Sequence, residues 1–77
     1  MSLPSSDASE TTRIEYLSGL LMAWSYRGEA NLLYPRTVMR AALRMGVDPR
    51  EVYEQGRTSA RDPDRFPSYE EIGPASE

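Results

Sequence analysis

Three arginines recur at four-residue spacing in the middle of the chain: Arg36, Arg40 and Arg44. Residues four apart lie on one face of a helix, so their guanidinium groups would form a single basic stripe. A guanidinium is a planar fork of N–H donors that pairs with carboxylates or phosphates. Two interpretations are open: the stripe is solvated and balanced by neighbouring glutamates, or it binds an acidic protein surface or a nucleic acid.

The side chains that the sequence lacks exclude most catalytic chemistry. The 77 residues contain no His and no Cys, and all nine basic residues are Arg, so there is no Lys either. His and Cys supply the common zinc, haem and iron–sulfur ligands, and His, Cys and Lys include many of the usual nucleophiles and general bases. The stretch Asp62-Pro63-Asp64 lacks the spacing and ligand count of a calcium loop and is typical of a turn. We expect no enzyme, no metal, no cofactor and no small-molecule substrate.

The stripe must be positioned by helices, and the first of these is predicted over 11–27. Its apolar residues repeat at three- and four-residue steps, as in an amphipathic helix: Ile14, Leu17, Leu21 and Trp24. Gly28 would end the helix. Gly19 lies inside it, at a cost of up to about 1 kcal/mol relative to Ala. Either that cost is tolerated, or a neighbouring backbone approaches closely at Gly19.

A helix, a tight turn and a further helix are predicted over 37–56. Pro35 suits the first position of the earlier helix, and Gly46 can close that helix in the left-handed conformation. Asp48 can then cap the next helix, which should end near Gly56. The spacing of small and apolar residues around this turn resembles the helix-turn-helix unit of DNA-binding proteins, and it involves Ala42, Gly46, Val47 and Val52.

The resemblance implies that the third helix would face DNA, with contacts from Arg50, Gln55, Arg57 and Arg61. Glu51 and Glu54 on the same helix would oppose the phosphates. The net charge of −3 is also unlike the basic balance of most DNA-binding domains. A helix-turn-helix transcriptional regulator is therefore the alternative interpretation.

The favoured interpretation is a small protein that binds another protein as a regulator, inhibitor or accessory subunit, with a homodimer as one possibility. A core of this size contributes only about 3–5 kcal/mol of stability, so docking on a partner would help. The first helix is also apolar around more of its circumference than a small monomer covers. The predicted contact residues are the stripe Arg36, Arg40 and Arg44 together with Tyr16, Met22, Tyr26 and Tyr53.

The apolar periodicity and the helix end signals predict an all-α fold, with one three-helix domain over 11–56 between flexible segments at 1–10 and 57–77. Its predicted core is Ile14, Leu17, Leu21, Trp24, Val38, Ala42, Met45, Val47 and Val52. The last segment contains three prolines and no sustained periodicity, so we expect it to be extended or disordered. The chain shows no signal peptide and no run of about 18 apolar residues, which favours a cytoplasmic protein and no membrane contact.

Overall fold

The computed structural model describes residues 9–28 and 31–73. These contain four helices: α1 Glu10–Ser25, α2 Leu33–Arg44, α3 Pro49–Thr58 and α4 Tyr69–Ile72. The prediction of an all-α fold is confirmed, and no strand occurs in the described residues. None of the helices found there combines the length and the apolar character that crossing a membrane requires. Of the predicted flexible segment 1–10, residues 1–8 lie outside the described residues.

Helix α1 begins one to two residues before its predicted start. The Ser9 hydroxyl oxygen accepts a hydrogen bond from the Thr12 N–H at 3.1 Å, which satisfies one of the free donors of the first turn. The buried side of α1 is the predicted one, with Ile14, Leu17, Leu21 and Trp24. The chain then leaves the helix through Gly28, which has a φ of +73° that favours glycine.

The predicted helix-turn-helix-like pair is formed by α2 and α3. Gly46 has a φ of +74°, and the Val47 N–H donates to the Ala42 carbonyl oxygen at 3.0 Å, so α2 closes as expected. The Asp48 carboxylate then accepts from the Arg50 N–H at 3.0 Å and starts α3. α2 begins two residues before Pro35, whose missing N–H still falls among the donors that a first turn leaves unpaired.

The core lies between α1, α2 and α3. Of the nine predicted core residues, eight are buried, whereas Met45 is half-buried at the end of α2. Five further apolar residues join this core, and three of them come from beyond the predicted domain: Met39, Tyr53, Ala60, Phe66 and Ile72.

The prediction of an extended or disordered segment over 57–77 is wrong for residues 57–73. α3 continues to Thr58, and residues 59–73, which we call the returning segment, then fold back over the helices. Phe66 packs edge-on against Trp24, with ring centroids 5.9 Å apart and planes at 90°. Ile72 is fully buried. These residues were missed because single apolar side chains separated by prolines show no helical period, and residues 74–77 lie outside the described residues.

α1 and α3 approach each other closely at Gly56. A Cβ at this position would lie 2.7 Å from the Leu21 Cβ and 3.2 Å from the Ser18 carbonyl oxygen. Gly56 is therefore not the predicted end of α3 but a buried position inside it. A Cβ at Gly19 would meet nothing within 4 Å, so the neighbouring backbone considered for Gly19 is absent from the described residues.

We predict opposite effects of alanine at the two glycines. Gly56→Ala should destabilise the fold by about 1–3 kcal/mol, because the added methyl group forces α3 away from α1. Gly19→Ala should stabilise it by about 0.5–1 kcal/mol, because it removes the helix cost of glycine in open space. Urea denaturation of dilute protein, followed by circular dichroism, measures both. Equal effects of the two substitutions would contradict the packing of α1 on α3.

Candidate protein-binding surface

One side of α2 points away from the core. Its exposed residues follow helical spacing, whereas Pro35, Val38, Met39 and Ala42 on the opposite side are buried. Leu33 is 64% exposed, and it and Tyr26 are the large hydrophobic residues that the described chain exposes. We call the outward surface the α2 face and define it as Leu33, Thr37, Arg40 and Arg44.

Arg36 belongs to the fold rather than to this face. Its Nε donates to the Ile72 carbonyl oxygen at 2.7 Å, and its Nη2 donates to the Glu71 carbonyl oxygen at 3.2 Å. The last carbonyls of a helix have no partner within that helix, so the guanidinium satisfies two acceptors of α4. Arg36 therefore fastens the returning segment to α2, and its predicted role in partner binding is corrected.

Arg40 and Arg44 are exposed and make no hydrogen bond or ion pair within residues 9–28 and 31–73. Within the described residues, an ion pair joins Arg65 and Asp62 at 3.5 Å, and it involves neither of these arginines. The glutamate partners that a solvated stripe would have are thus missing among the described residues. Both guanidinium groups are free to bind a carboxylate or a phosphate.

The predicted aromatic contacts do not share one environment. Tyr26 is 57% exposed just past the end of α1, and Tyr16 and Met22 are half-buried on that helix. Tyr53 is only 5% exposed, and its hydroxyl donates to the Pro67 carbonyl oxygen at 2.8 Å. Tyr53 is therefore too buried to contact a partner and is removed from the site. It was predicted as a contact residue because the segment that covers it was expected to be free.

The structure brings together only two of the four residues predicted for DNA binding, Arg50 and Arg57. The Arg50 guanidinium lies over the Tyr69 ring, 4.5 Å from its centroid. Arg50 and Arg57 line an open cleft of about 280 Å³ between α3 and the returning segment, together with Glu54 and Glu70. Gln55 is exposed on α3, whereas the backbone N–H of Arg61 donates to the Ser25 hydroxyl oxygen at 3.2 Å. Arg50 and Arg57 therefore share their cleft with two glutamates, and neither Gln55 nor Arg61 is among the residues that line it.

Leu33 is the exposed apolar residue of the α2 face that sequence reasoning missed. Its neighbour Leu32 packs against the core. The spacing of the sequence contained this signal, because Leu33 lies four residues before Thr37 and seven before Arg40. A helix that begins at Leu33, as α2 does, places Leu33 on the same side as the arginine.

Comparison of the chain with family models, with curated proteins and with solved structures finds no match. Among the described residues, no group of three or more His, Cys, Asp or Glu side chains could hold a metal ion. What bears on function is the chemistry of the surfaces that the fold exposes.

We predict that Arg36 and Arg40 differ in their effect on stability. Arg36→Gln should lower the free energy of unfolding by about 1–3 kcal/mol, because it removes charge-assisted hydrogen bonds that hold α4. Arg40→Gln should change it by less than about 0.5 kcal/mol, because this exposed side chain has no partner in the described fold. Chemical denaturation measures the difference, and equal losses would contradict the assigned role of Arg36.

Tyr53 should also make the fold sensitive to alkali. Burial raises the pKa of its phenol above the ordinary value of 10.0; among the smaller effects, Glu54 and Glu70 also raise this pKa, whereas Arg57 and Arg50 lower it. The folded state therefore holds this proton more tightly than the unfolded state does, and stability should fall as the pH rises above 10. Tyr53→Phe should reduce this alkaline loss in urea titrations. An unchanged pH dependence in Tyr53→Phe would contradict the assignment.

Proposed function

We propose that this protein is a small non-catalytic regulator or accessory subunit that binds another protein through the α2 face. The observation that carries the proposal is the pair of unpartnered guanidinium groups, Arg40 and Arg44, on the same side of α2 as the exposed Leu33. Protein interfaces combine apolar anchors with arginines that pair across the contact. The chemistry fits a partner with carboxylates beside a small apolar recess.

The α2 face is held rigidly, which favours binding. The buried side of α2 packs into the core through Val38, Met39 and Ala42, and Arg36 ties it to α4. From Leu33 to Arg44 the helix rises about 16 Å, so the three side chains can act together on one contact. Little backbone ordering is then lost on association, and the arginine forks can make bidentate pairs with carboxylates.

DNA binding is the less supported alternative, although α2 and α3 have the helix-turn-helix arrangement. In the described structure Arg50 is stacked on Tyr69, while the exposed part of α3 includes Glu51 and Glu54. Carboxylates at the groove would oppose the electrostatic attraction that gives most non-specific affinity.

We propose that the protein acts in the cytoplasm, a reducing compartment where a chain without cysteine loses no stabilising disulfides.

We predict that Arg40→Glu with Arg44→Glu abolishes partner binding and leaves the fold intact. Partners should first be captured from the host, purified and titrated against each variant by calorimetry. Arg61→Glu with Arg65→Glu is the matched control, because it changes the charge equally at exposed positions outside the α2 face. The α2 variant should weaken binding at least about 100-fold, because like charges would meet across the interface.

The proposal fails if the two double variants bind equally. A titration of random duplex DNA at rising salt distinguishes the alternative, because phosphate contacts give a steep fall of affinity with salt. Strong binding to duplex DNA that is lost in Arg50→Ala would support the helix-turn-helix regulator instead.

A further inference from the structure

Trp24 carries a buried hydrogen-bond donor for which the fold supplies no acceptor. Its side chain is 4% exposed, and the indole Nε1 has no hydrogen-bond partner among the described residues. Buried polar groups in proteins are nearly always paired, because an unpaired one keeps the full cost of leaving water. The indole N–H is therefore a donor that an acceptor from outside the chain would satisfy.

Trp24 lies on the wall of a small cleft between the end of α1 and the returning segment. The cleft has a volume of about 140 Å³, which is room for several water molecules or for one small organic group. We call it the Trp24 cleft, and its lining includes Trp24, Ser25, Arg61, Asp62, Arg65 and Phe66.

The walls of the Trp24 cleft are held in place by contacts within the chain. The Arg61 N–H donates to the Ser25 hydroxyl oxygen at 3.2 Å, and this hydroxyl donates to the Met22 carbonyl oxygen at 2.6 Å. Phe66 packs edge-on against Trp24. The cleft is therefore formed before any ligand enters, which reduces the ordering that binding would require.

The charged side chains that line the cleft carry a net positive charge. Arg61 is exposed, and its guanidinium makes no hydrogen bond or ion pair within the described residues. Arg65 pairs with Asp62 through its Nε at 3.5 Å, and both side chains are exposed. Exposed pairs contribute little stability, so a ligand can replace Asp62 at Arg65. Two guanidinium groups and one carboxylate leave one positive charge, which matches a monoanion better than a doubly charged phosphate.

We propose that the Trp24 cleft binds a small organic monocarboxylate. One carboxylate oxygen accepts the indole N–H, and the guanidinium groups of Arg61 and Arg65 bind its charge through their N–H donors. Small-ligand sites combine apolar walls with a few polar groups that fix orientation, and the rings of Trp24 and Phe66 supply the walls here. The cleft shares no residue with the α2 face, so this inference does not rest on the proposed function and either can fail alone.

Titration of the full chain with sodium acetate, at constant total salt, tests the proposal by NMR. Trp24 is the one tryptophan of the chain, so a single indole N–H signal reports on the predicted hydrogen bond. The signal should move downfield and saturate with a dissociation constant of about 1–30 mM, because so small a ligand makes few contacts. Neutral acetamide has the same shape and an acceptor oxygen but no charge, and it should bind at least about 10-fold more weakly.

Variants test the charged groups of the cleft, with backbone amide signals as the readout. Arg61→Gln with Arg65→Gln should weaken acetate binding at least about 10-fold, because it removes the charged donors. Asp62→Asn should tighten binding about 2- to 5-fold, because it frees Arg65 and removes a like charge. Arg40→Gln with Arg44→Gln is the matched control, since it removes the same charge from the α2 face and should leave acetate binding unchanged.

The indole donor is tested by Trp24→Phe, which keeps an aromatic ring but lacks the N–H and should weaken binding about 3- to 10-fold. If this variant fails to fold, the wild-type indole signal and the arginine double variant still decide. An indole signal that acetate leaves unmoved would overturn the proposal, as would equal acetate binding by wild type and the arginine double variant. Equal binding of acetamide, or tighter binding of phosphate, would also overturn the assignment to a monocarboxylate.

Discussion

The contact of α1 with α3 at Gly56 is the constraint on which the rest of the fold depends. Because α3 has no side chain there, the Leu21 side chain and the Ser18 carbonyl of α1 can lie directly against it. Val52 and Tyr53, on the same helix, are both buried. Tyr53 then offers its ring to Phe66 and Tyr69, with centroids 5.7 and 5.5 Å away, and so gives the returning segment a surface to pack on.

The returning segment determines which surfaces stay available for function. Phe66 closes the core beside Trp24, and Tyr69 covers one side of α3 and accepts the Arg50 guanidinium over its ring. A helix that would be the DNA-reading element of a helix-turn-helix protein is thereby engaged within its own chain. The outward sides of α1 and α2 stay uncovered among the described residues, one nearly without charge and the other basic.

The three longer helices could be predicted because each has periodic apolar residues and local signals at its ends, such as Asp48 before α3 and Gly46 after α2. The returning segment could not, because Phe66 and Ile72 are held by long-range contacts that no local pattern records. The same gap explains the errors at the candidate site. Tyr53 and Arg36 both appeared free because their partners, Pro67 and Ile72, belong to that segment. Arg40 and Arg44 have no such partner in the described chain.

The hydrogen bond from Arg36 to the Ile72 carbonyl also bears on how fast the molecule folds. It joins residues 36 positions apart, and the contact of α1 with α3 at Gly56 involves Leu21, which is almost equally distant along the chain. The entropy lost on closing a loop grows by about 0.6 kcal/mol for each doubling of its length, so the two closures cost nearly the same. An all-helical protein built on such non-local contacts should fold more slowly than one whose helices pack only on their neighbours in sequence.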